Sequence, residues 1–196
     1  MLFRSMAPAV KLGLIEPDIV IDSKSGVSGA GRGLSMSTHY SEVNENTMAY
    51  SLAGHRHLPE ITQELALLTD QTLEITFLTH LVPMTRGILS SCYSRLKPEY
   101  TSMNTGTISG VKEAYKEFYK DHPFVVITDT PPQTKQTLGN NQCLVHPTID
   151  PRTNRLIVIS CIDNLVKGAA GQAVQNMNLM YQLPEETALE SLAVYP

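Results

Sequence analysis

The run Asp18-Ile19-Val20-Ile21-Asp22, followed by Ser25-Gly26-Val27-Ser28-Gly29-Ala30-Gly31-Arg32-Gly33, decides how the sheet of this chain begins. β-Branched residues in the first run favour a strand. The second run holds four glycines in eight residues, which prevents regular structure and permits positive φ. We therefore predict a strand that ends in a flexible loop over residues 25–33.

Outward from this strand, strand-like runs outnumber helical ones. Further strands are predicted at residues 73–78, 86–96, 124–128, 143–145 and 156–161, and helices near Pro59, at 109–120 and at 164–181. Strands and helices do not alternate regularly, so we predict an α+β fold with a mixed, largely antiparallel sheet and helices on one face. The strands at 73–78 and 86–96 are expected to be neighbours. The last helix has a face of glycine and alanine, which we expect another segment to approach closely.

Composition limits the class of protein. The chain has 196 residues, a net charge of −4 and no block of Lys or Arg, so nucleic acid is not an expected partner. No apolar run is long enough to cross a bilayer, and no membrane partner is expected. Three cysteines without a CxxC spacing, Cys92, Cys143 and Cys161, favour buried thiols in a reducing compartment. We expect a cytoplasmic protein, or an organellar one if a targeting peptide precedes it.

The glycine-rich loop has the composition of an anion site. Ser25 and Ser28 supply hydroxyls, Arg32 supplies a guanidinium, and the glycines leave backbone N–H groups unencumbered. These groups could hold carboxylate or phosphate oxygens. The alternative is a surface turn with a solvated Arg32. The loop matches neither a Walker loop nor GxGxxG, so we do not expect it to bind a nucleotide.

His55 and His57 stand two residues apart just before the helix that begins near Pro59. In extended backbone both imidazoles would project from one face, which suits a metal pair or a general base with its helper. A metal site needs further ligands that His39 or His80 could supply only by coincidence, so none is expected. Alternatively, one histidine caps the helix or bonds to backbone.

Four motifs together resemble N-acetyl-gamma-glutamyl-phosphate reductase. They are DSKSGVSGAGR at residues 22–32, HRHLPEI at 55–61, HLVPMTRGIL at 80–89 and DNLVKGAAGQA at 163–173. The resemblance implies NADPH-dependent reduction of N-acetyl-L-glutamyl 5-phosphate to N-acetyl-L-glutamate 5-semialdehyde in arginine biosynthesis. It also implies an amino-terminal domain that binds most of NADP(H), and an α+β domain like those of glyceraldehyde-phosphate and aspartate-semialdehyde dehydrogenases.

The resemblance also implies roles for individual residues. His57 would be the catalytic base and His55 would assist it or orient substrate. The acyl phosphate or the N-acetylglutamyl carboxylate would meet Ser25, Ser28 and Arg32, and the nicotinamide end of the cofactor would meet Asn164 and Gly168. Lys24, His80 and Arg86 lie in the motifs and either contact substrate or support the structure, with structure favoured for Arg86.

One departure from the family concerns the nucleophile. The Asn-Pro-Gly-Cys-Tyr-Pro-Thr motif that bears the catalytic thiol should lie just before Ala7, where the chain reads MLFRSM. We therefore expect residues 1–6 to be a non-matching start, of natural or artefactual origin, and 7–162 to be a substrate, catalytic and dimerisation domain. Residues 163–196 would form a helix and tail that pack on the absent NADP domain, and this chain alone would be inactive.

Two other functions stay open at this point. The chain could be a non-catalytic module that binds anions and self-associates, or an enzyme like aspartate-semialdehyde dehydrogenase. The HRHLPEI and SGVSGAGR motifs fit the acetylglutamyl enzyme better. The expected partners are N-acetylglutamyl phosphate, phosphate and a second copy of the chain bound through the sheet.

Overall fold

The computed structural model describes residues 2–101 and 107–195. Its seven strands form one sheet in the order β2-β3-β1-β4-β7-β6-β5. The strands are β1 Ile15–Ser25, β2 Met48–Tyr50, β3 Glu74–Leu81, β4 Ile88–Leu96, β5 Val125–Ile127, β6 Cys143–Asp150 and β7 Arg155–Ile162. The helices are α1 Leu2–Lys11, α2 Tyr40–Val43, α3 Leu58–Ala66, α4 Pro98–Thr101, α5 Ile108–Phe118 and α6 Gly171–Met180, with a π-helical turn at Val166–Ala170.

The sheet is mixed and largely antiparallel. Only β1 with β3 and β5 with β6 pair in parallel, and the other neighbours are antiparallel. Side chains of α1, α3 and α5 join those of one sheet face in a single apolar core. The predicted α+β class is therefore confirmed. None of the helices in the described ranges is long and apolar enough to cross a membrane.

The expectation that strands β3 and β4 are neighbours is wrong, because β1 lies between them. β1 pairs in parallel with β3 along one edge and antiparallel with β4 along the other. The segment at residues 82–87 therefore crosses the end of β1 instead of closing a hairpin. Backbone N–H groups that follow β1 hold it there, as described below.

Alternating burial shows which sheet face is covered. Ile19 and Ile21 of β1 are fully buried under the helices, whereas Val20 between them is partly exposed. The same alternation runs along β7. The uncovered face of the sheet, called the open face below, carries six partly exposed apolar side chains: Val20, Leu78, Leu89, Tyr93, Ile157 and Ile159.

Helix α1 was not predicted from the sequence, and a proline lies inside it. Pro8 has no N–H, so the Arg4 carbonyl lacks its usual donor four residues on. The Tyr119 hydroxyl donates to this carbonyl at 2.5 Å, and the Tyr115 hydroxyl donates to the Ser5 carbonyl at 2.8 Å. Tyr115 and Tyr119, four residues apart in and just after α5, therefore hold α1 against α5.

The last helix begins later than predicted. A π-helical turn at Val166–Ala170 precedes α6, and the backbone of residues 168–170 is exposed. The close approach expected on its small-residue face occurs at Gly171, where a Cβ would lie 2.4 Å from Asn141 Oδ1. The approaching group belongs to this chain.

Candidate functional site

Three of the four motif segments meet at the carboxyl end of β1. The backbone N–H groups of Gly26, Val27 and Ser28 donate to the carbonyls of Gly87, Met84 and Thr85 at 2.9, 2.9 and 3.1 Å. The expectation of unencumbered N–H groups is therefore wrong for these residues, because the neighbouring loop uses them. Gly26 makes this approach possible, since a Cβ there would lie 2.8 Å from the Thr85 oxygen.

The structure brings Ser28 and Asn164 together. Ser28 Oγ donates to the Thr85 carbonyl at 2.5 Å and accepts from Asn164 Nδ2 at 2.8 Å. Asn164 Oδ1 accepts from the Gly87 N–H at 2.7 Å. The Asn164 side chain is buried, and its carboxamide thus joins the loop after β1 to the loop before β4.

Asp163 organises this end of the sheet, although no pattern in the sequence points to this role. Its carboxylate is fully buried and accepts from Arg86 Nη2 at 2.7 and 2.6 Å. It also accepts from the backbone N–H groups of Gly139, Leu165 and Val166 at 2.8, 2.8 and 3.0 Å. Burial alone would raise the pKa of Asp163, but these hydrogen bonds outweigh burial and hold the pKa below its usual value.

The remaining residues of the predicted anion and cofactor sites form fewer hydrogen bonds with the rest of the described chain. Ser25 Oγ donates to the Gly26 carbonyl at 3.1 Å. Arg32 is exposed, and it forms no hydrogen bond or ion pair with any residue that the structure describes. Gly168 donates to the Asp163 carbonyl at 2.9 Å and borders the exposed backbone of the π-helical turn.

The two predicted histidines lie side by side at the start of α3. Their ring centroids are 4.8 Å apart, and the His55 ring also contacts Phe77 and Tyr50. His55 Nδ1 accepts from the His57 backbone N–H at 3.1 Å, so the backbone-bonding alternative describes His55. Burial, and then the charges of His57 and Arg56, lower the pKa of His55. His57 precedes α3 without a capping hydrogen bond from its side chain.

Lys24 and His80 share one carboxylate on the open face of the sheet. Asp22 accepts from Lys24 Nζ at 2.7 Å and lies 3.0 Å from His80 Nδ1. In the described parts of the chain, no three His, Cys, Asp or Glu side chains gather closely enough to hold a metal ion.

The three cysteines are free and buried. Burial raises the pKa of Cys92 to about 12, and burial together with Cys143 raises the pKa of Cys161 to about 12. Neither thiol is therefore a ready nucleophile near neutral pH.

Comparison with known proteins gives relatives for nearly the whole chain. N-acetyl-gamma-glutamyl-phosphate reductase of Dehalococcoides mccartyi is 53% identical over 192 residues, covering 97% of this chain and 54% of that protein. The protein of the same name from Pelotomaculum thermopropionicum is 48% identical over 195 residues, covering 98% of this chain and 54% of that protein. The resemblance that the four motifs indicated is thus confirmed. The chain spans about half the length of these relatives.

Solved structures confirm the fold. A probable aspartate-semialdehyde dehydrogenase from Pseudomonas aeruginosa matches with a TM-score of 0.66 at 16% identity, over 91% of this chain and 58% of that one. Aspartate semialdehyde dehydrogenase II from Vibrio cholerae matches with a TM-score of 0.63 at 16% identity, over 92% of this chain and 61% of that one.

A family model described as the semialdehyde dehydrogenase dimerisation domain matches residues 2–164. This match covers the whole sheet and the 22–32 and 80–89 segments, and it ends at Asn164, the residue that joins them. The chain belongs to the semialdehyde dehydrogenase family, and its sheet is the family's dimerisation domain.

Proposed function

We propose that this chain is the substrate side of an enzyme that reduces N-acetyl-L-glutamyl 5-phosphate to N-acetyl-L-glutamate 5-semialdehyde with NADPH, in arginine biosynthesis. The observation that carries the proposal is the joining of the 22–32, 80–89 and 163–173 motifs through the Asn164 carboxamide. The names of the relatives support the same activity.

Substrate would be held by the loop after β1. Arg32 is the loop's exposed cation and has no partner in the described chain, so it is available to a phosphate or carboxylate. Ser25 adds a hydroxyl that now reaches only a neighbouring carbonyl. Ser28 belongs to the same site, but its hydroxyl already donates and accepts, so it acts by orienting Asn164.

His57 is the better general base of the two histidines. His55 Nδ1 accepts a backbone N–H, so the proton of neutral His55 must sit on Nε2, where it can only be donated. Among the residues that the structure describes, the His57 ring makes a ring contact with His55 and no hydrogen bond. His57 would therefore take and return the proton of the reacting thiol, while His55 orients it.

The thiol would come from the polypeptide before α1, as the resemblance implies. The thiolate attacks the acyl carbon, the C–O bond to phosphate breaks, and the resulting thioester is reduced to the aldehyde as the thiol is released. Bound NADPH supplies the hydride for this reduction. The residues present fit its nicotinamide end, because Gly168 borders an exposed backbone without large side chains and Asn164 has one N–H to spare.

Helix α6 has the surface expected of a docking site for the nucleotide-binding domain. It buries the polar side chains of Gln175 and Asn178 and exposes Ala173, Met177 and Met180. An exposed apolar stripe on a helix favours a covering partner. We propose that the amino-terminal NADP domain of the intact enzyme covers this stripe.

The open face of the sheet would bind a second copy of the chain. Its six apolar side chains are only partly exposed and have no helix of α1, α3 or α5 over them. The dimerisation role in the description of the matching family supports this assignment. The homo-oligomer would then form through the sheet.

The test joins this chain to the amino-terminal part of the Dehalococcoides mccartyi relative that it does not match. Phosphate-dependent oxidation of N-acetylglutamate 5-semialdehyde with NADP is measured. The joined enzyme should turn over and this chain alone should not. His57→Ala should lower kcat about a hundredfold or more, the usual contribution of a general base.

His55→Ala serves as the matched variant and should lower kcat less than His57→Ala. An equal or larger loss in His55→Ala would reverse the assignment of base and helper. Aspartate semialdehyde as the better substrate would contradict the proposed specificity. A stable oligomer without turnover in the joined protein would favour a non-catalytic module.

A further inference from the structure

We infer that a second copy of the chain binds the open face about a two-fold axis that runs parallel to the strands, between β1 and β4. Two pairs of like charges at one end of the face select this arrangement. The inference rests on the proposed function, because it deepens the assignment of the open face to a homo-oligomer. It specifies which strands of the two copies face each other and which side chains select them.

Two acidic side chains lie next to each other at the amino end of β1. Asp18 is directly opposite Glu74 in the parallel ladder of β1 and β3. Their neighbours Ile19 and Ile75 pack into the core, so alternation places both carboxylates on the open face. Both residues are exposed, and neither forms an ion pair with a residue in the described ranges. We call them the acidic pair.

Two arginines lie next to each other at the same end of the face, on β4 and β7. Arg95 is directly opposite Arg155 in the antiparallel ladder of these strands. The next residues, Leu96 and Leu156, are buried in the core, so both guanidinium groups lie on the open face. Arg95 is exposed and Arg155 is partly exposed, and the described parts of the chain hold no ion pair of either. We call them the arginine pair.

The two pairs do not neutralise each other within one chain. The ladder of β1 and β4 is interrupted between Ile15 and Ile19, so Asp18 lies outside it. Asp150 is opposite Arg155 on β6, but its carboxylate binds the Arg152 side chain at 3.1 Å. Like charges directly opposite each other destabilise a sheet. Side chains of opposite charge on another molecule would relieve this repulsion in both pairs.

A two-fold axis along the strands supplies those opposite charges. The sheet order places β3 and β1 on one side of an axis between β1 and β4, and β4 and β7 on the other side. A half-turn about this axis exchanges the two sides and leaves each end of the strands in place. The acidic pair of each copy therefore meets the arginine pair of the other. Because the interface uses the same surface of both copies, this contact occurs twice.

The apolar centre of the open face fits the same axis. Val20 and Tyr93 are direct partners across β1 and β4, so the half-turn sets Val20 of one copy against Tyr93 of the other. In the next row, Leu78 on β3 falls against Ile159 on β7 of the other copy. Apolar side chains therefore cover apolar side chains in the middle of the interface, with charged contacts at its rim.

An axis across the strands places the same charges less favourably. A half-turn about such an axis through the middle of β4 exchanges the ends of the strands, so the arginine pair of one copy faces Leu89 and Cys161 of the other. Asp18 would face Lys24, whose amino group already binds Asp22 at 2.7 Å. A charge that is buried without a partner of opposite sign opposes association. The charges therefore favour the axis along the strands.

The experiment uses two variants of the full chain that should not pair with themselves. Asp18→Lys with Glu74→Lys makes the four positions all basic, and Arg95→Glu with Arg155→Glu makes them all acidic. Each variant alone should dimerise about a hundredfold more weakly than the original chain, because like charges then face each other at both contacts. A mixture of the two should dimerise about as tightly as the original chain, because a basic face then meets an acidic one. Sedimentation velocity at several concentrations measures the dissociation constants.

Lys116→Glu with Lys120→Glu is the matched control for the acidic variant. It changes the net charge by the same amount, but the two lysines lie in and just after α5, which packs on the covered face of the sheet. This control should dimerise like the original chain. Urea denaturation of every variant separates lost association from lost folding.

Three results would overturn the inferred axis. One is a mixture that dimerises no more tightly than either variant alone. Another is a pair of variants that each dimerise like the original chain. The third is an original chain that stays monomeric at every concentration tested.

Tyr93→Asp distinguishes a wrong axis from a wrong face. Tyr93 lies in the apolar centre, so a charge there should weaken dimerisation for any axis on the open face. If Tyr93→Asp dissociates the dimer but the mixture does not restore it, the open-face assignment stands and the axis is wrong. If Tyr93→Asp dimerises like the original chain, both are wrong. Turnover enters none of these outcomes, so an inactive joined enzyme would count against the proposed reaction alone.

Discussion

The Asp163 cluster, made of Asp163, Arg86 and Asn164, differs from the His55–His57 pair in how its polar groups are used. In the cluster the Asp163 carboxylate and Asn164 carboxamide are buried, and both oxygens of Asp163 and both polar atoms of the Asn164 side chain have protein partners. In the pair one ring nitrogen accepts a backbone N–H, and both residues reach solvent. The Asp163 cluster can therefore keep its side chains in fixed positions, and the His55–His57 pair can exchange protons.

The contrast also separates stability from chemistry. Loss of a buried carboxylate that accepts five hydrogen bonds from four donor groups costs much stability, because its partners would be left unsatisfied. His57 is exposed and His55 is only partly buried, so the two imidazoles should contribute less to folding than the cluster does. Substitutions in the cluster should therefore act mainly on stability, and those in the pair mainly on turnover.

The largest effect is expected from Asp163→Ala. It leaves the Arg86 guanidinium and three backbone N–H groups without their acceptor. Removing one partner of a buried ion pair costs about 3–5 kcal/mol, and Arg86, about a third exposed, recovers part of this from water. Urea denaturation should show a loss of about 3 kcal/mol in the free energy of unfolding.

Asp129→Ala is the control for that measurement. Asp129 also pairs with a lysine, Lys112 at 3.1 Å, but its side chain is 87% exposed. Its removal should leave the free energy of unfolding nearly unchanged, because an exposed ion pair contributes little to stability. Equal losses of stability in Asp163→Ala and Asp129→Ala would mean that a buried carboxylate contributes no more to stability here than an exposed one.

A smaller loss is expected from Gly26→Ala. The new Cβ would lie 2.8 Å from the Thr85 oxygen and 2.9 Å from the Arg86 nitrogen, both in the backbone, so the two loops must separate. Overpacking of this kind costs about 1–3 kcal/mol. Gly29→Ala, three residues on, should cost nothing by the same urea measurement. Equal stability of the two variants would show that the loops are not held as closely as described.

The sequence was sufficient for the fold class and for most elements. β-Branched runs predicted strands at β1, β5, β6 and β7, and apolar spacing predicted α3 and α5. The insertion of β1 between β3 and β4 could not be predicted, because either pairing satisfies the same alternating pattern. Helix α1 was missed because Pro8 argues against a helix unless Tyr119 supplies the lost hydrogen bond.

The sequence predicted which residues belong to the site, but it did not predict the hydrogen bonds between them. The motifs named Ser28 and Asn164 for different ligands, whereas their side chains bind each other. The loop's N–H groups were expected to be free because glycine-rich composition does not reveal which carbonyls lie opposite. Asp163 opens the 163–173 motif, but its role could not be predicted, since two of its donors, Arg86 and Gly139, lie far from it in sequence.

The smallest effect is expected from His55, whose protonation should make the stability of the chain depend on pH. Because the folded-state pKa of His55 lies below 6.5, the unfolded chain binds the proton more readily than the folded chain. The contribution of His55 to the free energy of unfolding is fully present above pH 6.5. It is lost as the pH falls from there through the lowered pKa. His55→Gln keeps an acceptor for the His57 N–H and cannot titrate, so it should lack this loss.

Urea midpoints of the chain and of His55→Gln, measured between pH 8 and pH 5, check this expectation. At pH 8 the two proteins should differ by less than about 0.5 kcal/mol, which serves as the internal control. Towards pH 5 the original chain should lose more stability than the variant. Parallel curves would mean that His55 is as well solvated when folded as when unfolded. The His55 ring would then take up a proton as readily in the folded chain as in the unfolded one, and the distinction between a partly buried helper and an exposed base would fail.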